Sequence, residues 1–325
     1  MKQQPLTLRL LRFSTPLMFV AVFIFFGLQE TRFVQLESLS NILKQASFTG
    51  IAAVGMVFVL LTAGIDLSVG SVMYLAPLLA GFAMRNLGVG VAVALPLALL
   101  AGAVMGFINA FCIVRLKIIP FIVTLSTLFF FRGAGTFLTQ SRAFDFPESI
   151  RTFGLSNIAG VPLPIVLFAV VVLAAQVVLT LTPFGRHVYA IGNDPAAAQK
   201  AGLNTGRVLG IVYIISGMCA ALAGFVLIAQ IGRLDQAFGE GREFDVIAAA
   251  VLGGTSLFGG IGTALSAVIG ATFIQTVEAG LVFTGVNLYL QPMVQGVIIF
   301  LAVFFDSLRI TTLKRLTRRV IRSEG

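Results

Sequence analysis

An all-α, polytopic membrane protein is the fold class this sequence predicts, and three observations carry the prediction. Of the 325 residues, 58% are hydrophobic and only 11% are charged, with a mean hydropathy of +1.01. The apolar residues come in long continuous runs, unlike the alternating strands of about ten residues that build a membrane barrel. The 22 basic and 13 acidic residues are too few to cover a soluble core of this size, whereas lipid solvates an apolar exterior.

At about 20 residues per spanning helix, the runs divide into about ten crossings: 15–29, 42–63, 67–84, 89–114, 118–138, 161–181, 208–231, 244–258, 261–283 and 287–307. The first follows Lys2, Arg9 and Arg12 and continues through Phe25 and Phe26 into Gln29-Glu30-Thr31-Arg32 without a small-x-small cleavage site, so it reads as an uncleaved helix. The second and third are joined by Thr62-Ala-Gly-Ile-Asp-Leu-Ser-Val-Gly-Ser71, which interrupts a helix. Pro183 ends the sixth. The stretch 244–258 is short; as half of a re-entrant hairpin it lowers the count to eight and leaves both ends on one side. The chain thus reads as a tail (1–14), one transmembrane domain (15–307) and a basic tail (308–325).

Lys and Arg set the orientation. With the N-terminus inside, the segments 1–13, 115–117, 182–207 and 309–325 carry fourteen of the twenty-two, and the outer segments carry seven. Both termini are therefore expected in the cytoplasm. The formal charge of +9 needs no nucleic acid, because Arg315, Arg318, Arg319 and Arg322 read as lipid-surface anchors.

The segment Gly192-Asn-Asp-Pro-Ala-Ala-Ala-Gln-Lys-Ala-Gly202 is a polar, small-residue interruption of an apolar chain. Asn193-Asp194-Pro195 is a helix start, Ala196 to Ala201 are good helix formers, and Gly202 is a natural stop. A short helix on the inner face follows, with a low-profile surface that seats in a groove of another protein; a plain connecting loop is the alternative. The chain has no Gly-x-x-x-x-Gly-Lys-[Ser/Thr] phosphate loop, so nucleotide hydrolysis falls to a partner.

Four blocks carry a resemblance. They are Gly55-Met-Val-Phe-Val-Leu-Leu-Thr-Ala-Gly-Ile-Asp-Leu-Ser-Val-Gly-Ser71, Phe121-Ile-Val-Thr-Leu-Ser-Thr-Leu-Phe-Phe-Phe-Arg-Gly133, Gly185-Arg-His-Val-Tyr-Ala-Ile-Gly-Asn-Asp-Pro-Ala-Ala-Ala-Gln-Lys-Ala-Gly202 and Ala248-Ala-Ala-Val-Leu-Gly-Gly-Thr-Ser-Leu-Phe-Gly-Gly-Ile-Gly262. Together they resemble the permeases of ribose-type (CUT2-like) sugar ABC importers. Two departures stand out: Ala63 occupies a position where glycine is common, and 141–160 does not align. The resemblance implies a type II importer-like bundle and a permease that dimerises with a second permease subunit. It also implies a periplasmic sugar-binding protein and a cytoplasmic ATP-binding subunit, which holds ATP and Mg while this chain binds no cofactor or metal. On it, Gly192, Asn193, Asp194, Pro195, Ala197, Ala198, Ala201 and Gly202 form the ATPase-coupling element.

Candidate pathway or gate residues are Asp66, Ser68, Asn109, Gln275, Glu278, Gln291 and Gln295. In the first break, Gly64 and Gly70 permit unusual backbone angles. Asp66 and Ser68 either cap the following helix or meet solute at the inner mouth. Gly253-Gly254-Thr255-Ser256 and Gly259-Gly260-Ile261-Gly262 make a similar break in the second half, as an internal duplication would and as close helix packing would too. Gln275 with Glu278, and Gln291 with Gln295, share helix faces; each pair either relays a polyol or ties helices together. Asn109 and Gln230 are similar but isolated.

Arg132 is expected to anchor at the outer end of its helix. His187 has no ligand partners, and Cys112 and Cys219 read as core filler. The charged outer segment 233–245 is a candidate surface for a binding protein through Glu240 and Glu243. An ion-coupled secondary transporter is the main rival, disfavoured because Glu278 and Asp66 are the only deep ionisable candidates. A membrane enzyme would need clustered His, Cys and acids, which the chain does not offer.

Overall fold

The computed structural model describes residues 14–287, 289–294, 296, 297, 300 and 304. Twelve α-helices are defined among them: α1 (Ser14–Gln29), α2 (Leu36–Leu61), α3 (Val69–Leu87), α4 (Val91–Val114), α5 (Pro120–Thr139), α6 (Glu148–Gly154), α7 (Leu163–Leu181), α8 (Pro183–Asn193), α9 (Pro195–Lys200), α10 (Thr205–Ile231), α11 (Arg242–Leu252) and α12 (Ala264–Phe283). Six of them (α2, α4, α5, α7, α10 and α12) are long and apolar enough to cross a membrane. The protein is an all-α polytopic membrane protein. Two helices start earlier than hydropathy suggests, at Leu36 rather than 42 and at Thr205 rather than 208, because their first turns are polar and extend the helix beyond its apolar part.

The stretch expected at 244–258 is corrected. Its helix, α11, has 11 residues, about 16 Å at 1.5 Å per residue, which is roughly half the hydrocarbon thickness of about 30 Å. Helical geometry gives way after Leu252, where four glycines at positive φ follow: Gly254, Gly259, Gly260 and Gly262.

Two compact units divide the chain: residues 43–272, and residues 1–42 together with 273–325. In the second of these, the rings of Phe19, Phe23, Phe26, Phe33, Phe273 and Phe283 form a contiguous aromatic cluster. In the first, α3 is the central helix and packs against α4, α5 and α10. The Tyr74 ring of α3 carries the Arg132 guanidinium 5.1 Å from its centroid. The most extensive helix pair is α4 with α10. Gly102 and Gly106, four residues apart, face Gly217, and a Cβ on any of the three would overlap backbone of the opposite helix. Small residues allow this approach, and in lipid close packing of this kind holds helices together.

Residues 141–160, which no helical pattern described, build a small cap. Strand β1 (Phe144–Asp145) pairs antiparallel with β4 (Arg233–Leu234), while β2 (Asn157–Ile158) and β3 (Val161–Pro162) form a hairpin. The hairpin turns on Ala159 and Gly160, at φ 51° and 82°, the two left-handed positions of a tight type I′ turn. Helix α10 has 27 residues and is about 40 Å long. Its C-terminal end leads into this cap and its N-terminal end packs near α8 and α9, so the two regions lie at opposite ends of the unit.

Candidate coupling and translocation site

The segment between α7 and α10 is built from local hydrogen bonds. Thr182 Oγ1 accepts from the Gly185 amide at 3.2 Å and opens α8. Asp194 terminates α8 in extended geometry, and its Oδ1 accepts from the amides of Ala196 (3.0 Å) and Ala197 (2.9 Å), capping α9. Gly202, at φ +84°, closes α9 while Leu203 N–H donates to Ala198 O at 3.1 Å, the bonding of a left-handed C-terminal stop. Asn193, Asp194, Pro195, Ala197, Ala201 and Gly202 are exposed, whereas Gly192 and Ala198 are buried. Ala198 therefore packs inward and is not part of the outward surface; a six-residue helix must turn one alanine towards its own protein.

Gly192 has a different role. A Cβ there would overlap both the Leu61 carbonyl oxygen at the end of α2 and the Gly260 nitrogen. Gly260 N–H donates to that same carbonyl at 3.0 Å, and a Cβ on Gly260 would strike the Asn193 side chain. A Cβ on Gly259 would meet Ala63 and the Gly192 carbonyl. Tyr189, one turn earlier in α8, donates its hydroxyl to Gly262 O at 2.7 Å; burial pushes its phenol up, so the group stays a donor near neutral pH. The polar segment, the end of α2 and the second glycine-rich break thus meet at one clasp.

The first break differs from the expectation about its glycines. Neither Gly64 nor Gly70 has a positive φ; the left-handed residue is Ala63, at φ +57°. Ala63 and Gly64 close α2 through N–H donation to Leu60 O (2.9 Å) and Val59 O (3.1 Å). Glycine is needed at 64 and 70 for close approach, to the Tyr213 hydroxyl and to Glu243 with Gly239 O respectively.

Asp66, Ser68 and Asn109 are brought together, each at most 1% exposed. Asp66 Oδ1 accepts from Ser68 N (3.0 Å) and Ser68 Oγ (2.6 Å), and Oδ2 accepts from Ser216 Oγ on α10 (2.7 Å). Ser68 Oγ in turn accepts from Asn109 Nδ2 on α4 at 2.8 Å, and Asn109 Oδ1 accepts from Thr127 Oγ1 on α5 at 2.7 Å. The network runs from α10 through the break to α4 and α5. The buried Asp66 side chain thus has both oxygens hydrogen-bonded without a basic partner. Ser216 and Thr127 escaped sequence reasoning because lone hydroxyls in apolar helices give no signal.

Gln275 is buried, with its amide nitrogen unpartnered, and Glu278 on the same helix is half-buried. Gln291 Nε2 donates to Val286 O at 3.0 Å; Gln295 and the Arg315–Arg322 cluster lie outside the described residues. Arg132 donates to the backbone carbonyls of Gln236 (3.2 Å) and Phe238, tying α5 to the loop that precedes α11. Glu240 is exposed, but Glu243 is 7% exposed and packs beside Gly70, so it is not available as a docking charge. Its position in the first turn of α11 carries it beneath the loop.

The family model for the branched-chain amino acid transport system / permease component matches residues 38–303. The chain belongs to this permease family. Among curated relatives, the permease is 38% identical to the ribose import permease protein RbsC of Escherichia coli (strain K12), over 85% of this chain and 87% of the relative. It is 37% identical to the corresponding protein of Bacillus subtilis (strain 168), over 84% and 86%. It is 30% identical to the xylose transport system permease protein XylH of E. coli (strain K12), over 89% of each. No solved structure matches the permease at a significant level. It is a multi-pass protein of the bacterial inner membrane.

Proposed function

We propose that this chain is the translocating subunit of a binding-protein-dependent importer of a sugar or sugar-like solute, driven by ATP hydrolysis in a cytoplasmic partner. The relatives' names supply the solute class, ribose for one group and xylose for another. The observation that carries the mechanism is the clasp: an exposed, capped helix whose preceding glycine is wedged between the two glycine-rich breaks. Motion imposed on α9 by an ATPase reaches both breaks through backbone contacts, without a compliant side chain between them. Asn193, Asp194, Pro195, Ala197, Ala201 and Gly202 present the surface for the ATPase, and Gly192 transmits.

In this reading the bundle has eight to ten crossings, eight if α11 is half of a re-entrant hairpin, both termini face the cytoplasm, and two permease subunits enclose the path. The Asp66–Ser68–Asn109 network fixes the first break against α4, α5 and α10. Gln275, Glu278 and Gln291 are the candidates for contact with solute. The permease performs no chemistry on its cargo; ATP and Mg belong to the partner.

The test is solute uptake by proteoliposomes containing the permease, its ATPase and its binding protein, comparing the intact chain with Ala197→Glu and Ala201→Glu. Loss of ATP-dependent uptake with normal insertion supports the assignment. Uptake that persists without the ATPase, or that follows an ion gradient, replaces it with a secondary transporter.

A further inference from the structure

Helices α4 and α10 touch at Gly102, Gly106 and Gly217, but towards one end of the pair they leave a groove of about 270 Å³. Its walls are Phe107 and Phe111 of α4 with Ile211 and Ile214 of α10. Phe107, Phe111 and Ile211 are exposed, and Gly210 keeps the groove open, since a Cβ there meets nothing within 4 Å. The Phe107 and Phe111 rings follow one another along α4 with 6.5 Å between centroids, an apolar strip that faces acyl chains in a membrane.

Both charged residues of the lining are basic, and they stand at the same end of the groove. Arg115 is the C-terminal cap residue of α4 and Arg207 lies in the first turn of α10. Both are exposed, and among the described residues neither guanidinium takes part in an ion pair. Lys117, exposed two residues beyond Arg115, adds a third cation to this end. A guanidinium pairs with phosphate in bidentate geometry, and basic pockets between transmembrane helices suit anionic head groups. An apolar trough that ends in two unpaired guanidiniums matches both parts of a phospholipid, whereas a soluble phosphate gains nothing from the trough.

We propose that this groove binds one anionic phospholipid, with an acyl chain against Phe107, Phe111, Ile211 and Ile214 and the head group bridging Arg115 and Arg207. The bridge ties the loop after α4 to the start of α10, just beyond α9. Assignment of the site to the cytoplasmic leaflet rests on the importer reading, which places α9 inside; the lipid site itself does not.

Native mass spectrometry of the full-length permease, delipidated in detergent and given equal palmitoyl-oleoyl phosphatidylglycerol and phosphatidylcholine, tests it. The intact chain is expected to retain the glycerol lipid at least about threefold over the choline lipid. That preference should disappear in Arg115→Gln/Arg207→Gln. Retention of the glycerol lipid should also fall at least about threefold in Gly210→Leu, which fills the groove without changing its charge. Arg142→Gln/Arg233→Gln, the same loss of charge at the cap, should behave as the intact chain. Equal retention of the two lipids by the intact chain overturns the proposal. So does a preference that survives in Arg115→Gln/Arg207→Gln, which assigns it to other basic residues, or one lost equally in both arginine pairs, which makes it an effect of net charge. Undiminished retention in Gly210→Leu overturns the groove, as does self-association abolished by Gly210→Leu with no lipid retained, which gives the groove to a second copy of the chain. These measurements need neither ATPase nor sugar, so their failure leaves the importer reading standing, and a failure of uptake leaves the lipid result standing.

Discussion

At the residue scale, Ala63 and Gly192 show how little a side chain needs to do to matter. Ala63 sits at φ +57°, where a Cβ costs about 1 kcal/mol or more. Ala63→Gly is expected to raise the thermal midpoint of the purified protein by roughly that much stability, read as a shift in a melting curve. Gly192→Ala has the opposite character: its Cβ has no room between the Leu61 carbonyl and Gly260. It should leave the protein in the membrane but abolish uptake while ATP hydrolysis continues, a split visible when both are assayed on one preparation. A third contrast separates packing from docking. Ala198→Glu places a carboxylate at a buried site and is expected to reduce the amount of folded protein, whereas Ala197→Glu on the exposed side should not, as fluorescence size-exclusion of the two variants would show. Sequence alone read Asp194 and Gly202 well, because caps are written in residues a few positions apart. It did not read Gly64 and Gly70 well, since a glycine required for left-handed backbone and one required for close approach look the same in a string of letters. Nor did it place Ala198 inward, because six residues give no periodicity from which a face can be chosen.

At the element scale, the pairing of α4 with α10 rests on Gly102, Gly106 and Gly217. Gly217→Val forces the two backbones apart, and overpacking of a tight interface typically costs about 1–3 kcal/mol. The expected outcome is a clear loss of thermal stability in detergent, whereas Gly210→Val, where a Cβ meets open space, should melt like the parent. Long helices were legible from hydropathy because length and apolarity are local properties. The half-length of α11 was only partly so: the break at Gly253-Gly254-Thr255-Ser256 was visible, but not that helical geometry ends at Leu252, just before the positive-φ Gly254. The cap formed by β1, α6 and the β2–β3 hairpin was illegible, since two-residue strands carry no alternation to detect.

At the scale of the molecule, what matters is which distant segments meet. The residues of the clasp, near 61, 192 and 260, and of the network, from Asp66 to Ser216, lie far apart in sequence, and no pattern within one window announces such meetings. The four matched blocks did mark the segments that meet, though not their contacts. A single long rod, α10, joins the region of the clasp to the cap. Its helical length of about 40 Å exceeds a hydrocarbon core of about 30 Å, so it must lean or protrude, and bilayer thickness sets which. Transport activity in this permease should therefore respond to acyl-chain length: lipids that pull the rod upright or lay it flatter change the separation of its two ends along the membrane normal, making the surrounding membrane itself a component of the gear ratio between clasp and cap.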